Sequence, residues 1–270
     1  MSWRPPRGVL AELVASARED CQRRRRARPG ASAEAARLPH RPARFQAALL
    51  GGVTFPLICE VKRASPSAGA IAGDDDARAR AQAYVRGGAR CVSVLTEARR
   101  FGGSLEDLAQ VRAGVEVPLL RKDFVVDPYM VEEAALAGAD AVLLIAGAVE
   151  PALLSELAAS ARSLGLDVLL EVVSEGELEA ADALGATLVG VNARDLETLD
   201  VDPQRFARLA PALRAPGRTL VAESGVRTRE DLAALAKAGA TAALVGESLM
   251  RAGDPEAAVR ALSEAPCPRA

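Results

Sequence analysis

Four Gly-Ala pairs mark a regular repeat in the chain beyond residue 50, and this repeat limits the folds that the sequence can adopt. Each pair ends a stretch with helical periodicity and is followed by a short apolar run. Glycine suits this position because the residue that ends a helix commonly takes a left-handed conformation. Successive pairs are 50, 47 and 54 residues apart, which leaves room for two strand–helix units in each interval. The pairs are Gly88-Ala89, Gly138-Ala139, Gly185-Ala186 and Gly239-Ala240.

Eight apolar runs are predicted to be strands, and the segments between them have helical periodicity. Strands that are apolar on both faces and alternate with helices are typical of a parallel sheet. Eight such units predict an α/β fold, a (β/α)8 TIM barrel with an N-terminal helical extension. A doubly wound open sheet is the alternative, but no Gly-x-Gly-x-x-Gly motif follows the first run. The predicted strands lie near 57–62, 91–95, 117–121, 140–145, 167–171, 187–191, 219–222 and 241–245, and the predicted helices at 74–87, 105–113, 129–137, 151–164, 175–184, 203–213 and 229–238.

Residues 1–50 are predicted to be a helical extension that packs on the barrel, and residues 51–270 to be the single catalytic barrel domain. An apolar stripe supports a helix near the start, and Pro29-Gly30 interrupts it. The first 50 residues carry a charge balance of +7, whereas the remainder carries −9. Because the Arg23–Arg26 run has no interleaved aromatic residues, we expect a solvated helix face rather than a nucleic-acid site.

Composition argues against several other kinds of site. The four cysteines have no paired spacing and the chain has a single histidine, so we expect no metal site, and we expect no cofactor. No apolar run is long enough to span a membrane, and Val9–Ala17 is short and contains Glu12, which is untypical of a signal peptide. We therefore expect a cytoplasmic protein, a monomer or weak homodimer, that binds a small molecule and neither nucleic acid nor membrane.

Lysine is rare in this chain, and two of the three lysines lie at the ends of predicted strands. These are Lys62 and Lys122, whereas Lys237 lies in a helix-like stretch. In TIM barrels the functional groups gather at the carboxyl ends of the strands. Glu60 lies two residues before Lys62, so both side chains point to the same face and need each other or a ligand. A structural ion pair is the alternative for these two residues.

Further predicted strands also end in polar residues. The fifth strand ends at Glu171, the sixth is followed by Asn192 and Arg194, and the seventh ends at Glu223. A single residue of this kind is often a helix cap or a salt bridge at the rim. Several strand ends that bring lysine, glutamate and asparagine to one mouth are difficult to explain by stability alone, so we predict an active site there.

The last two strands are followed by turns of small residues that lead into helices. Ser224-Gly225 follows the seventh strand and Gly246-Glu247-Ser248 follows the eighth. Backbone N–H groups at such turns and at helix N-termini bind phosphate, so the pair predicts a phosphorylated ligand. The carboxylate of Glu247 is an awkward neighbour for phosphate, and we expect its side chain to turn away while its N–H group binds.

At this level of detail the sequence closely resembles the indole-3-glycerol-phosphate synthase family, which are TIM barrels of the tryptophan pathway. The matching motifs follow one another in family order, and the helical N-terminal extension is also a family feature. The motifs are E-V-K-R-A-S-P-S at 60–67, S-V-L-T-E at 93–97, F-G-G-S-L-E-D-L at 101–108, R-K-D-F-V-V-D-P-Y at 121–129, N-A-R-D-L-E-T at 192–198, A-E-S-G-V at 222–226 and V-G-E-S-L-M at 245–250.

The resemblance implies a decarboxylating lyase that closes the indole ring of 1-(2-carboxyphenylamino)-1-deoxyribulose 5-phosphate with loss of CO2 and water. It implies that Lys122 is the general acid and Glu171 the general base, with Glu60, Lys62 and Asn192 completing the catalytic set. Glu60 is expected to stay ionised, and repulsion between the two lysines to lower the pKa of one of them. Implied substrate contacts are Ser65, Phe124, Arg194, Leu196 and Glu223, with Ser224, Gly225, Gly246 and Glu247 around the phosphate.

Three other functions remain as alternatives. A sugar-phosphate isomerase barrel of the tryptophan or histidine pathway would use a Cys/Asp or Asp/Asp pair, whereas the first strand here ends in Glu60 and Lys62. A Schiff-base aldolase would commonly have its lysine on the sixth strand, where Asn192 stands. A binding barrel without turnover would keep the pocket, but the presence of both Lys122 and Glu171 argues against it.

Overall fold

The described residues form a closed barrel of eight parallel strands, as the sequence predicts. The computed structural model of the chain describes residues 3–39, 42, 44–65, 69, 70 and 76–264, with the side chains of residues 65 and 70 excepted. Each barrel strand pairs with its neighbours in the order β1-β8-β7-β6-β5-β4-β3-β2, and β2 closes on β1. The strands are β1 (Leu57–Val61), β2 (Cys91–Leu95), β3 (Leu119–Lys122), β4 (Ala141–Ile145), β5 (Asp167–Val172), β6 (Leu188–Asn192), β7 (Thr219–Glu223) and β8 (Ala242–Val245).

The helices of the barrel lie within a few residues of the predicted segments, with a 3-10 turn, Glu175–Glu177, leading into the helix after β5. A small hairpin of Ala64–Ser65 and Gly69–Ala70 after β1 and the last helix were not predicted, whereas the helix after β8 was predicted without bounds. The predicted start of the second segment, residues 74 and 75, lies outside the described residues. The helices are α1 (Gly8–Ala27), α2 (Ala31–Ala35), α3 (Phe45–Leu49), α4 (Ala77–Arg86), α5 (Leu105–Arg112), α6 (Pro128–Leu136), α7 (Pro151–Ser163), α8 (Leu178–Ala183), α9 (Arg205–Leu213), α10 (Arg229–Ala238), α11 (Glu247–Met250) and α12 (Pro255–Ser263).

The repeated glycines end helices in the left-handed conformation that the repeat predicts. The φ angles are +105° at Gly88, +86° at Gly138, +58° at Gly185 and +108° at Gly239. Any other L-residue would be strained at these positions. Each glycine therefore stops a helix and turns the chain into β2, β4, β6 or β8.

The amino ends of the strands are closed by α3, and we call this end of the barrel the floor. Phe45 is fully buried there. The carboxylate of Asp167 accepts hydrogen bonds from the backbone N–H groups of Phe45 (2.7 Å) and Gln46 (3.1 Å). The Gln46 amide donates to the carbonyl of Thr187 (2.9 Å) and to the Thr219 hydroxyl (3.1 Å). The floor is thus tied to three strands by hydrogen bonds.

The first helix is attached to the barrel by ion pairs along its length. Arg100 reaches Glu12, Arg99 Nε lies 3.0 Å from an oxygen of Asp20, and Arg24 makes a two-pronged contact with Glu133 on α6 at 2.6 and 2.9 Å. The expectation that the Arg23–Arg26 run is only a solvated face is therefore wrong for Arg24. Its guanidinium is drawn inward because Glu133 is buried on the facing helix. Within the described residues, no helix is both long and apolar enough to cross a membrane.

Candidate active site

A cavity of about 520 Å³ opens at the carboxyl ends of the strands, and we call this end of the barrel the mouth. Strand alternation explains why the polar residues of the strand ends meet there, since every second side chain points into the barrel. Most of the predicted site residues line the cavity. They are Glu60, Lys62, Lys122, Phe124, Asn192, Arg194, Leu196, Glu223, Ser224, Gly225, Gly246 and Glu247.

Glu171 does not line the cavity, and Ser65 has no described side chain. Glu171 is fully buried beneath the lysine at the end of β5. One of its oxygens lies 3.6 Å from Lys122 Nζ, and the other accepts a hydrogen bond of 3.0 Å from the amide of Asn192. The predicted base is thus in contact with the predicted acid but is fully buried.

Two lysines and three glutamates form an ionic cluster across the mouth. Lys62 Nζ lies 3.1 Å from Glu60, so the predicted pair on β1 is formed. Lys122 Nζ lies 3.6 Å from Glu171 and 3.8 Å from Glu223. All three carboxylates are less than 5% exposed, so their charges are weakly screened by solvent.

The pKa values within this cluster are set by burial and by these charges. Burial lowers the pKa of Lys122, but the carboxylates of Glu171, Glu223 and Glu60 outweigh burial and raise the pKa well above its usual value. Burial raises the pKa of Glu60, but the charges of Lys62 and Lys122 outweigh it and hold the pKa below its usual value. Glu60 is therefore ionised, as expected. The expectation that lysine repulsion lowers a pKa is wrong for Lys122, because carboxylates surround it more closely than Lys62 does.

Glu223 differs from the other carboxyl groups of the cluster. Neither of its oxygens has a hydrogen-bond partner in the described part of the chain. Burial, and then the negative charge of Glu171, raise the pKa of Glu223 well above its usual value. Two buried carboxyl groups at close range cannot both ionise readily, and this repulsion favours the protonated form of Glu223.

Asn192 is fixed between the acid–base cluster and the phosphate loops. Its side-chain oxygen accepts hydrogen bonds from Arg194 N (3.0 Å) and from the Ser224 hydroxyl (2.8 Å), while its amide donates to Glu171. Every polar atom of the side chain is thus occupied, and the amide orientation is defined. Arg194 lines the cavity, and one of its guanidinium nitrogens donates to the carbonyl of Leu199 (2.9 Å).

Backbone geometry explains the small residues of the two predicted phosphate loops. Ser224 and Gly225 are both left-handed, with φ angles of +67° and +82°. A side chain at Gly246 would come within 2.5 Å of a Glu60 oxygen, which explains the glycine. The Glu247 carboxylate turns to Arg251, whose Nε lies 3.3 Å away, and so does not rest against the loop N–H groups.

Several lining residues were not predicted. Arg227 and Arg251 lie beside the phosphate loops and bring positive charge to that side. Phe101 faces Phe124 with ring centroids 6.3 Å apart, and Leu13 of α1 adds an apolar wall. The arginines could have been found from their spacing, because each lies two to five residues beyond a predicted phosphate loop. Leu13 gave no such signal.

The described residues contain no group of three or more His, Cys, Asp or Glu side chains that could hold a metal ion. The polar groups at the mouth are instead lysines paired with carboxylates. Such a set can donate and accept protons and can bind anions.

Comparison with known proteins identifies the family to which this chain belongs. The family model described as indole-3-glycerol phosphate synthase matches residues 10–262. The indole-3-glycerol phosphate synthase of Micrococcus luteus is 50% identical over 262 residues, covering 95% of this chain and 97% of that protein. The chain belongs to the indole-3-glycerol phosphate synthase family. It is accordingly a decarboxylating, cyclising lyase of tryptophan biosynthesis with a phosphorylated substrate.

Two further similarities are consistent with this assignment. The indole-3-glycerol phosphate synthase of Mycobacterium tuberculosis is 56% identical over 204 residues, covering 75% of this chain and 74% of that protein. Among solved structures, a thiamine phosphate pyrophosphorylase from Pyrococcus furiosus matches with a TM-score of 0.57 and 16% identity. It covers 77% of this chain and 93% of that protein, and at this identity the match shows the barrel fold alone.

Proposed function

We propose that the mouth closes the indole ring by general acid–base catalysis, with Lys122 as the acid and Glu171 as the base. The observation that carries this proposal is the position of Lys122, whose ammonium lines the cavity within 4 Å of two buried carboxyl groups. Its raised pKa keeps it protonated at neutral pH, as an acid must be before it donates.

The chemistry requires three proton transfers: two to the ketone oxygen, which leaves as water, and one from the adjacent CH2. The ring carbon that bears the carboxylate attacks the substrate ketone, and Lys122 gives a proton to the ketone oxygen. Loss of CO2 then returns the electron pair to the ring. The new hydroxyl leaves as water with a second proton, and the adjacent CH2 loses a proton to the base. Glu171 takes this proton and can then return it to Lys122, since the two groups are in contact.

The remaining residues of the cluster have supporting roles. Lys62 binds the substrate carboxylate and helps the hydroxyl to leave, and Glu60 holds Lys62 in position by their ion pair. Asn192 orients the sugar hydroxyls. Arg194 binds the carboxylate that is lost. Neutral Glu223 contacts the substrate as a hydrogen-bond donor rather than as a charge.

The two ends of the substrate have different surroundings. Phe124 and Leu196 flank the anilino ring, which suits the apolar side of the cavity. The backbone N–H groups at Ser224, Gly225, Gly246 and Glu247 bind the phosphate, supported by their open turns and the nearby arginines. Ser65 completes the substrate contacts.

The proposal also covers the organisation of the chain. Residues 1–50 act as a helical extension that packs on the barrel, with α1 beside the mouth and α3 at the floor. Residues 51–270 are the single catalytic domain, in a cytoplasmic protein that is a monomer or weak homodimer. Large exposed apolar side chains among the described residues are few and scattered, which supports weak self-association. Light scattering on a sizing column tests this, because a stable dimer at micromolar concentration contradicts it.

A turnover assay with the carboxyphenylamino substrate tests the acid directly. Trp3 is the single tryptophan, so indole fluorescence from the product rises over a low background. We expect Lys122→Ala to lower kcat by about 10²- to 10⁴-fold. Lys237→Ala, at an exposed helix position, is the matched control and should keep full activity. Substrate binding without turnover in the wild type would favour a binding barrel, and borohydride trapping of the substrate would favour a Schiff-base aldolase.

A further inference from the structure

Arg121 is a buried cation in a part of the barrel where apolar residues normally pack. It precedes Lys122 on β3, so strand alternation points it away from the cavity and toward the helix layer. It is 1% exposed and is the largest fully buried side chain among the described residues. Replacing such a buried ion network by apolar residues is often neutral or stabilising, so stability is a weak explanation for it.

The guanidinium is held by polar groups from three elements. Its Nε donates to the Thr96 hydroxyl beyond β2 (3.1 Å), and one terminal nitrogen donates to Asp123 (2.9 Å). The other terminal nitrogen donates to the Met130 carbonyl on α6 (2.5 Å) and lies 3.4 Å from Glu133. This fork geometry needs arginine, since lysine offers a single charged nitrogen.

The same cluster holds the backbone on both sides of Lys122. Thr96 N donates to the Lys122 carbonyl (3.0 Å), and the Thr96 hydroxyl donates to Asp123 (2.6 Å). The second Asp123 oxygen accepts from Phe124 N (2.8 Å). The residue before Lys122 and the residue after it are therefore fixed to each other and to the end of β2.

Glu133 extends the cluster to the first helix. Its two oxygens accept the two-pronged contact from Arg24 on α1, while one of them also faces Arg121. The helix that supplies Leu13 to the cavity wall is thus connected through two buried charges to the strand that carries Lys122.

We propose that Arg121 is a positioning residue for the reaction, which holds the Lys122 ammonium at its place in the mouth through the Thr96–Asp123–Glu133 cluster. The proposal rests on the function proposed for Lys122. A displacement of an acid by about 1 Å costs on the order of 10²-fold in rate, so loss of the cluster lowers kcat while the substrate-binding groups stay in place.

The test compares Arg121→Met with Arg112→Met, a control at the floor. Arg112 also forms a largely buried ion pair, with Asp140 at 3.1 Å, and it lies at the end of α5 beside the floor. We expect Arg121→Met to lower kcat by about 10- to 100-fold with KM changed by less than about threefold. Arg121→Lys should recover only part of the loss. Arg112→Met should lower the melting temperature and leave kcat of the folded enzyme unchanged.

A double-mutant cycle separates positioning from general damage. If Arg121 acts through Lys122, adding Arg121→Met to Lys122→Ala causes no further loss of kcat. A further loss as large as in the wild-type background overturns the proposal, and so does a wild-type kcat in Arg121→Met. If Arg121→Met does not fold, Thr96→Val and Glu133→Gln carry the same expectation.

The outcome also distinguishes the two proposals. If the Lys122→Ala single variant is fully active, the assignment of Lys122 as the general acid is wrong, and the proposed function fails with it. If Lys122→Ala is inactive and Arg121→Met has the wild-type kcat, only the positioning role of Arg121 is overturned.

Discussion

The two ends of the barrel handle buried charge in opposite ways. At the floor, Asp140 accepts hydrogen bonds from Arg44 (2.7 and 3.2 Å), from Arg112 (3.1 Å) and from the N–H group of Leu119 (2.8 Å). At the mouth, both oxygens of Glu223 and one of Glu171 have no hydrogen-bond partner within the described residues.

This difference in hydrogen bonding indicates that the floor stabilises the fold and that the mouth is the part suited to catalysis. A buried carboxylate without hydrogen bonds is costly, and it persists where it keeps a charge or proton ready for a ligand. A fully bonded carboxylate has no capacity left for a substrate. Mutations at the mouth should therefore change rate more than stability, and mutations at the floor should change stability more than rate.

The largest effect is expected for Glu171→Gln, which would break the acid–base pair without changing its shape. The amide cannot accept a proton, so we expect kcat to fall by about 10²- to 10⁴-fold. Because Glu223 and Glu60 remain beside Lys122 and the new amide oxygen can still accept from Asn192, the change in melting temperature should be small. Steady-state fluorescence and thermal unfolding measure both quantities. A loss of stability as large as that expected for a floor variant would contradict the proposed difference between mouth and floor.

Asp140→Ala tests the opposite end. It leaves Leu119 N without its acceptor and removes the charge that pairs with Arg44 and Arg112, so we expect the free energy of unfolding to fall by about 2–4 kcal/mol. The folded variant should keep the wild-type kcat, because Asp140 lies at the amino end of β4. Urea unfolding and turnover at a temperature well below the midpoint test this. A lowered kcat would mean that the two ends are coupled.

Gln46→Ala should have a smaller effect of the same kind. Its amide joins α3 to the strands at the carbonyls of Thr187 and Gly217 and at the Thr219 hydroxyl. The site is partly solvated, so water replaces some of these bonds and the expected loss is about 1–2 kcal/mol. Chemical denaturation of Gln46→Ala and of Gln46→Glu measures this loss. Gln46→Glu keeps the length of the side chain but lacks the N–H donors.

The smallest change in rate is expected for Glu223→Gln, because the amide resembles the protonated carboxyl. We expect kcat to fall by less than about tenfold. In the wild type, the raised pKa means that the folded state binds this proton more tightly than the unfolded state. Its contribution to the free energy of unfolding therefore decreases as pH rises above about 4.5. The variant should lack this decrease, and parallel curves for the two proteins would show that Glu223 is ionised.

The barrel could be predicted from the sequence because its signals are local. Apolar runs and the Gly-Ala pairs locate the strands, and parallel topology brings their carboxyl ends together. The small hairpin after β1 was missed because two-residue strands leave no periodicity. The helix α11 was predicted without bounds, because a four-residue segment leaves too little helical pattern to locate its ends.

The sequence predicts which residues gather at the mouth. It does not predict the burial of Glu171 or the protonation of Glu223. Which residues end strands can be read directly, but the position of Glu171 beneath the cavity depends on barrel packing. The proton on Glu223 depends on its distance from another carboxyl group, which no spacing encodes. Arg121 could have been noticed, since alternation with Lys122 directs a charge into an apolar layer.

The scarcity of lysine has a consequence for the chemical reactivity of this protein. Acylating reagents attack the neutral amine, and Lys237 is exposed to them, whereas the carboxylates around Lys122 keep that nitrogen protonated. With 31 of 34 basic side chains being arginine, the protein presents very few nucleophilic nitrogens. The side chain proposed to deliver protons is thus among the least open to covalent modification.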